Sequence, residues 1–385
     1  MSNPRDFLRA KTGHDSSKVS FVELFFDLVF VFAITQLSHL LIGHFSAVGA
    51  VQTLMLLLAV WWVWIFTAWV TNWLDPEKIH VRCAVLVMMV VGLILSASVP
   101  EAFGKRGLAF AGAYVLMQVG RCLFFLWAVR GHENLTRNFQ RILTWFIVSG
   151  LFWLGGAFLN DSSQMAAWAV ALAIELISPS AGFHVPGLGK SSSTEWEVSG
   201  HHIAERCGLF IIIALGESIL VTGATFSSLE WTWPVIAAFG ASLIGSIALW
   251  WIYFDTASEA GSHQISQSEN PGRLARLSYT YLHLFLVAGI ILTAVADEFV
   301  LAHPSGHCDG KVIGSLLGGA GTYLLGNLLF KRSIGDHFPP SHLVGLGLLL
   351  LLWPVSGHLS PWMLSSATTV VLIIVAAWEK RSRCG

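Results

Sequence analysis

The stretch that decides the fold is VELFFDLVFVFAITQLSH, residues 22–39. A helix needs about 20 predominantly apolar residues to cross the hydrocarbon core of a bilayer, and this stretch nearly supplies them. It nevertheless carries two acids one helical turn apart, Glu23 and Asp27. Because hydrocarbon disfavours an unpaired charge by about 2.5–3.5 kcal/mol on insertion scales, the stretch predicts a membrane-spanning helix whose acids face protein or water.

Apolar runs of similar length recur along the whole chain. Of its 385 residues, 55% are hydrophobic and only 12% are charged, and the mean hydropathy is +0.67. The predicted spans lie near 20–42, 47–72, 80–99, 108–129, 141–159, 163–178, 205–226, 233–254, 277–297, 311–330, 341–359 and 361–379. We therefore predict an all-α integral membrane protein with about twelve transmembrane helices.

The distribution of charge predicts the orientation. The net charge of −1 argues against a nucleic-acid partner, because phosphate binding requires a clustered positive surface. With a cytoplasmic N-terminus, eighteen of the 22 Lys and Arg lie on the cytoplasmic side, Lys105, Arg106 and Lys311 lie outside, and Arg121 lies within a span. This positive-inside bias predicts an even number of spans and two cytoplasmic termini. We see no removable signal peptide before residue 20.

Two parts of the sequence resemble each other. VWWVWIFTAW at 60–69 aligns with LWWIYFDTAS at 249–258, and VGLILSASVPEAF at 91–103 aligns with AGIILTAVADEF at 288–299. Chance similarity among Trp- and Leu-rich helices is the alternative explanation, but the matches recur in the same order. Because six spans is an even number, two such halves would be parallel repeats. We predict a first six-helix repeat at 1–180, a cytoplasmic linker at 181–197 and a second six-helix repeat at 198–385.

The first span carries one polar stripe. At about 100° per residue, Glu23, Asp27, Thr35 and Ser38 fall within about a third of the helix circumference. Such a stripe could line a water-filled path, or it could join helices through hydrogen bonds worth about 0.6–2 kcal/mol each. Both interpretations remain open at this point.

The seventh span begins HHIAERCG, residues 201–208. Its Glu205 corresponds in order to Glu23 of the first span. His201 and His202 could share a helix face with Glu205 and hold a metal, but a solvated helix start at the membrane surface is the simpler explanation. We therefore predict no metal site and retain Glu205 as a candidate on a transport path.

Three further ionisable residues lie inside predicted spans. Glu217 falls near the bilayer middle between the small residues Gly216 and Ser218, which allow close approach of another backbone. Arg121 could extend to the cytoplasmic surface or form a buried ion pair with Asp27 or Glu175. His283 could relay protons near neutral pH, or it could be a structural, hydrogen-bonded histidine. Glu217, Arg121 and His283 complete the candidate residues of the path.

Enzyme motifs are missing from the sequence. It contains no G-x-x-x-x-G-K-[ST] nucleotide loop, no G-x-S-x-G elbow and no H-E-x-x-H pair. We therefore predict a protein that is not an enzyme, with no catalytic residues and no cofactor.

Three long motifs carry a family resemblance. VELFFDLVFVFAITQLSH, HIAERCGLFIIIALGESIL and YLHLFLVAGIILTAVAD together resemble the bacterial low temperature requirement A family of multi-pass membrane proteins. The resemblance extends over nearly the whole chain and implies a location in the bacterial cytoplasmic membrane. It supplies no substrate.

These observations predict a transporter or channel for a small solute or ion, with Asp27 and Glu217 as the carboxylates that meet a cation or proton. The path would run between the two halves. The alternative is a non-transporting scaffold or sensor that acts in cold adaptation, in which the buried acids only hold helices together. The expected partners are the lipid bilayer and a small ion or solute, and a homo-oligomer remains open.

Overall fold

The computed structural model describes residues 7–9, 18–192, 198–268, 270–335 and 338–384. Across these ranges the chain is helical, with 83% of it in helix and no strand. The predicted all-α class is thus confirmed. The chain divides into two compact units: unit 1 is Met1–Arg206 with Glu269–Arg273, and unit 2 is Cys207–Ser268 with Leu274–Gly385.

Unit 1 contains six complete helices and the start of a seventh. These are α1 Phe21–Gly43, α2 Ala47–Trp73, α3 Ile79–Ser98 followed by a 3₁₀ turn at Val99–Glu101, α4 Gly107–Ala128, α5 Glu133–Gly156 and α6 Asp161–Ile177. Helix α7, Gly200–Ser228, begins in unit 1 and continues into unit 2 after Arg206.

The rest of the chain forms the helices of unit 2 and two π-helices, except that the short helix at Pro271–Leu274 lies mostly in unit 1, which includes Glu269–Arg273. These elements are α8 Trp233–Trp251, a π-helix at Ile252–Ser258, α9 Glu259–Gln267, α10 Pro271–Leu274, a π-helix at Ala275–Leu282, α11 His283–Ala302, α12 Gly310–Ile334, α13 Pro340–Leu352, a 3₁₀ turn at Trp353–His358 and α14 Pro361–Cys384. Because π-helical turns are rare and occur often at functional sites, the side chains at these two stretches are of particular interest.

Ten helices in the described ranges are long and apolar enough to cross a membrane. The fifth and sixth predicted spans coincide with α5 and α6, which are not among the ten. Helix α5 carries Glu133, Arg137 and Arg141 in its first half, and the 17 residues of α6 extend only about 26 Å. Twelve spans in two parallel repeats therefore remain a prediction.

Helix α2 forms the centre of unit 1. Trp61, Trp62 and Trp64 are at most 1% exposed, and the helix is buried on all sides along most of its length. A helix that is apolar all round belongs in the interior, and α1, α4 and α6 all contact α2. This arrangement brings the few polar side chains of α2 into the protein interior.

The first part of the predicted linker at 181–197 is a folded turn, while its last five residues lie outside the described ranges. Arg141 of α5 donates from Nε and Nη2 to the carbonyl oxygen of Leu188 at 2.9 and 2.6 Å. Gly182 has φ +61°, and a Cβ there would lie 2.7 Å from the carbonyl oxygen of Ser191. Only glycine fits this close approach without strain.

In unit 2, α11 and α12 pack with their backbones close together. A Cβ added at Gly289 would lie 2.7 Å from the backbone nitrogen of Tyr323, and one at Gly319 would lie 2.8 Å from that of Thr293. Small residues at such positions allow membrane helices to approach closely. Helices α8 and α14 also contact α11, so three helices surround the inner face of α11.

Candidate functional site

The two acids of the opening stretch lie in the first two turns of α1 and are both 0% exposed. Ser20 caps the helix: its hydroxyl accepts from the backbone nitrogen of Glu23 at 3.4 Å, and the Glu23 carboxylate accepts from the backbone nitrogen of Ser20 at 2.8 Å. This reciprocal capping box fixes the start of the helix. Asp27, four residues later, lies on the same face.

Arg206 of α7 joins the two carboxylates. Its Nη1 donates to Oε1 of Glu23 at 3.0 Å, and its Nη2 donates to Oδ1 of Asp27 at 2.6 Å. The guanidinium also donates to the Thr71 hydroxyl at 3.3 Å and lies 5.7 Å from the ring centroid of Trp64. The Trp64 indole donates to the same Asp27 oxygen at 2.7 Å. Arg206 is fully buried, so this charge contacts protein on every side.

The N-terminal segment supplies a second cation. Nη2 of Arg9 lies 2.9 Å from Oε2 of Glu23, and Nε of Arg9 donates to the carbonyl oxygen of Thr71 at 2.8 Å. Oε2 of Glu23 also accepts from the Ser20 hydroxyl at 2.9 Å. Both oxygens of Glu23 are therefore occupied by hydrogen-bond donors.

His202 completes the cluster, and its hydrogen bonds assign its tautomer. Asn72 accepts from the backbone nitrogen of Ser199 at 2.9 Å and donates to the Ser199 carbonyl at 2.8 Å, which fixes the orientation of its amide. The same amide nitrogen lies 3.2 Å from Nδ1 of His202, so Nδ1 accepts. The proton of the neutral ring then resides on Nε2, which donates to Oε1 of Glu23 at 3.0 Å and also lies 3.1 Å from Nη2 of Arg9.

The cluster of Glu23, Asp27, Arg206, His202 and Arg9 is balanced in charge. Two carboxylates face two guanidinium groups, and the histidine is neutral in the tautomer just described. In low dielectric, unpaired charges are strongly disfavoured, so such balance is a condition for burial. Oδ2 of Asp27 and Nε of Arg206 have no hydrogen-bond partner among the residues that the structure describes. Asp27 thus retains one acceptor for a further hydrogen bond or ion.

The other candidates on α1 and α7 lie at the edges of this cluster or beyond it. Glu205 is half-buried and accepts from the backbone nitrogen of Val19 at 3.2 Å. Thr35 and Ser38 donate to carbonyl oxygens one turn earlier in their own helix, at 3.1 and 3.2 Å. The structure therefore brings together Glu23 and Asp27 but not the two hydroxyls.

Arg121 is also buried, at 2% exposure, and does not extend to the membrane surface. Its Nη1 donates to the Val63 carbonyl and to the Thr67 hydroxyl, each at 3.2 Å, and its Nη2 donates to the Gln118 side chain. The guanidinium also lies 5.6 Å from the Phe66 ring centroid. Arg121 thus ties α4 to the central helix.

Glu175 of α6 forms a separate buried network. Its carboxylate accepts from the Tyr114 hydroxyl, from Ser149 at 2.7 Å, from the Trp153 indole at 3.1 Å and from Gln118 at 3.4 Å. A buried carboxylate that accepts several hydrogen bonds is stabilised without a counter-charge. This network joins α4, α5 and α6.

A cavity of about 600 Å³ lies between α2, α3 and α4. Thr67, Thr71 and Arg121 contribute to its wall, but most of its lining is apolar. Thr71 also accepts from Arg206, so the cavity adjoins the charged cluster. Its apolar lining offers no continuous polar route for an ion.

The two candidates in unit 2 have different surroundings. Glu217 is 9% exposed, and a Cβ at the neighbouring Gly216 would meet no heavy atom within 4 Å, so no backbone closely approaches at that glycine. His283, at the end of the second π-helix, donates from Nδ1 to the Ser278 carbonyl at 2.9 Å and accepts from the Tyr253 hydroxyl at 2.8 Å. Its two ring nitrogens are therefore both occupied.

Sequence reasoning missed Arg206 as a site residue and counted it among the cytoplasmic positive charges. His202 and Arg206 are four residues apart, and this spacing would have placed both side chains on one face of α7. In the structure that face meets Glu23. Across the described residues, no group of three His, Cys, Asp or Glu is arranged to hold a metal ion. The described side chains of the site form an ion-paired cluster.

The family model for the bacterial low temperature requirement A protein (LtrA) matches residues 18–377. The chain belongs to the LtrA family. It is similar to uncharacterized protein RA0937 of Rhizobium meliloti (strain 1021), with 39% identity over 372 residues, which cover 96% of this chain and 90% of that protein. No solved structure matches. Family membership and the ten apolar helices identify a multi-pass membrane protein.

Proposed function

We propose that this LtrA-family protein is a transporter or channel for a small solute or ion, and that the moving species is a small cation or a proton. The observation that carries the proposal is the burial of Glu23, Asp27 and Arg206 inside membrane-length helices. Ionisable residues within spans are rare and usually mark ion pathways or proton relays.

The chemistry of Asp27 supports a binding role. Its Oδ1 accepts from both Arg206 and Trp64, whereas its Oδ2 has no partner in the part of the chain that the structure describes. A proton or cation that reaches Oδ2 would weaken the ion pair to Arg206 by competing for the same negative charge. Arg206 would then be free to exchange partners, which provides a mechanism for opening a path.

We further propose the topology that the sequence predicted. The chain would cross the cytoplasmic membrane twelve times as two parallel six-helix repeats, with both termini in the cytoplasm. The bias of Lys and Arg supports this orientation. In it, the cluster lies near the cytoplasmic ends of its helices, because Asp27 is six residues from the start of α1, a distance of about 9 Å.

A non-transporting scaffold or sensor is the competing function, and one observation favours it. Both oxygens of Glu23 accept from groups of the protein, and Arg9 joins the same carboxylate to the last turns of α2. A cluster with this many bonds would hold helices together without conducting anything.

An ion-flux screen on purified protein in liposomes distinguishes the two functions. We expect flux of a small cation or proton with the unchanged protein, and its loss in Asp27→Asn and Glu217→Gln. Glu175→Gln is the matched control, because it neutralises another buried carboxylate without touching the cluster, and it should retain flux. If the unchanged protein conducts none of the screened ions and solutes, while Asp27→Asn only lowers the melting temperature, the scaffold function is correct.

A further inference from the structure

A second buried aspartate lies in unit 2, at a position for which the sequence predicted no role. Asp297 belongs to α11, five residues before its last residue Ala302, which places it about 7.5 Å inside that end of the helix. It is 2% exposed. Its carboxyl group is therefore inside a membrane-length helix and away from solvent.

One polar neighbour of Asp297 is the hydroxyl of Ser242 on α8. Neither Oδ2 of Asp297 nor the oxygen of Ser242 has a hydrogen-bond partner of good geometry within the described ranges. In contrast to Asp27, this carboxyl group forms no ion pair with a guanidinium of the residues that the structure describes.

The helices that contact α11 either lack ionisable groups or carry them toward their ends. Helix α8 has none in its sequence, and those of α14 begin only at Glu379, which is 18 residues, or about 27 Å, from the start of that helix. The first ionisable residue of α12 is Lys311, in the first turn of that helix. On α11 itself, Glu298 directly follows Asp297. Since adjacent residues diverge by about 100° around a helix, Glu298 points in a different direction.

A carboxyl group in these surroundings is stable only when its charge is cancelled. An isolated carboxylate in low dielectric is strongly disfavoured and takes up a proton instead. The neutral acid gains one O–H donor and keeps acceptor capacity, which matches the neighbouring Ser242 hydroxyl, a group that both donates and accepts. The site therefore suits a proton in size and in hydrogen bonding.

We propose that Asp297 is a proton-binding site inside the membrane and, if the proposed transport function is correct, the site where proton movement is coupled to transport. Binding transfers a proton from a hydronium ion to the Asp297 carboxylate, which forms an O–H bond there and leaves a water molecule. Release returns the proton to water and leaves a carboxylate to which Ser242 can donate. Asp27, in contrast, is ion-paired with Arg206 in this structure.

Infrared spectroscopy of the purified protein in lipid tests proton binding without any transport assay. We expect a C=O stretching band of a neutral carboxylic acid that disappears in Asp297→Asn, persists in Asp27→Asn and shifts in Ser242→Ala, which changes the hydrogen bond to the acid. Glu175→Gln identifies any contribution from the other buried acid. An unchanged band in Asp297→Asn would overturn the proposal.

Liposome flux then tests the coupling role separately. Flux driven by a pH gradient should be lost in Asp297→Asn and retained in Glu175→Gln. If Asp297→Asn loses the infrared band but pH-driven flux continues, Asp297 binds a proton without coupling it to transport, and that part of the proposal is wrong. If the band is lost and the unchanged protein shows no flux at all, the proton site stands and the proposed transport function fails.

Discussion

Two aspartates are buried in the described residues, Asp27 in unit 1 and Asp297 in unit 2. Their carboxyl groups have different surroundings. Asp27 accepts from Arg206 at 2.6 Å and from Trp64 at 2.7 Å. Asp297 has the Ser242 hydroxyl as a polar neighbour, and no ion pair to this carboxyl group is present among the described residues. An ion pair keeps a carboxylate charged inside the membrane, whereas a lone carboxyl group remains there by becoming neutral. One arrangement fixes a charge, and the other allows a proton to come and go.

Removal of Arg206 should produce the largest effect. Arg206→Gln leaves Glu23 and Asp27 buried with Arg9 as the only cation of the cluster, and breaking a buried ion pair in this way costs about 3–5 kcal/mol. We expect a loss of this size in the free energy of unfolding, measured by denaturant titration in detergent micelles. If Arg206→Gln is as stable as the unchanged protein, Asp27 does not depend on Arg206 as a counter-charge. The contrast between an ion-paired Asp27 and an unpaired Asp297 would then be wrong.

A triple variant sharpens that result. Adding Glu23→Gln and Asp27→Asn to Arg206→Gln removes the uncompensated charges together, and neutral replacement of a whole buried ion-pair group is often tolerated. We expect the triple variant to recover a substantial part of the lost stability, which a double-mutant-cycle analysis would report as a coupling energy. Additive losses would show that the three groups act independently.

Asp27→Asn should have the next largest effect. Arg206 keeps its bond to Glu23 at 3.0 Å but loses its charged partner on Asp27, and hydrogen bonds to charged groups contribute about 1.5–3 kcal/mol. The same denaturant titration should show a loss in that range. A loss near zero would mean that Asp27 is already neutral, as we propose for Asp297.

Glu175 provides an intermediate case, a carboxylate stabilised by neutral donors. Tyr114→Phe removes one of its four donors and leaves Ser149, Trp153 and Gln118 in place. A typical hydrogen bond contributes about 0.5–1.5 kcal/mol net, so the loss in unfolding free energy should be near 1 kcal/mol. None of the four donors to Glu175 bonds to Asp27 or Arg206. The losses in unfolding free energy caused by Tyr114→Phe and by Asp27→Asn should therefore be additive.

The sequence predicted the helices well but not the partners of the buried groups. Ten of the twelve predicted spans coincide with helices that are long and apolar enough to cross a membrane, because length and hydropathy are local properties. Helices α5 and α6 are not among the ten, because of the charges of α5 and the shortness of α6. The prediction that the acids of α1 meet a group of opposite charge or water follows from the cost of burying a charge. Which group it is depends on packing between elements far apart in sequence.

Arg206 illustrates this limit. It is 179 residues from Asp27 in the sequence, and it stands at the start of a span, where positive residues normally lie in water. Its spacing of four residues from His202 places both side chains on one helix face, but nothing local shows that this face is buried against Glu23 and Asp27. Asp297 was missed for a similar reason. An acid five residues from the end of a helix resembles one at the membrane surface, and only the structure shows that this one is buried.

Asp297→Asn should have the smallest effect on stability, and it tests the comparison most directly. Asparagine has nearly the shape of a neutral aspartic acid and keeps a donor and an acceptor for Ser242. If Asp297 is neutral, the variant loses no charge interaction, and we expect a change within about 0.5 kcal/mol, the range of substitutions that disturb no specific interaction. The same substitution at Asp27 should cost several times more. Equal losses at the two positions would mean that Asp297 is ionised and held by a charge, and the distinction between a fixed and an exchangeable carboxyl group would fail.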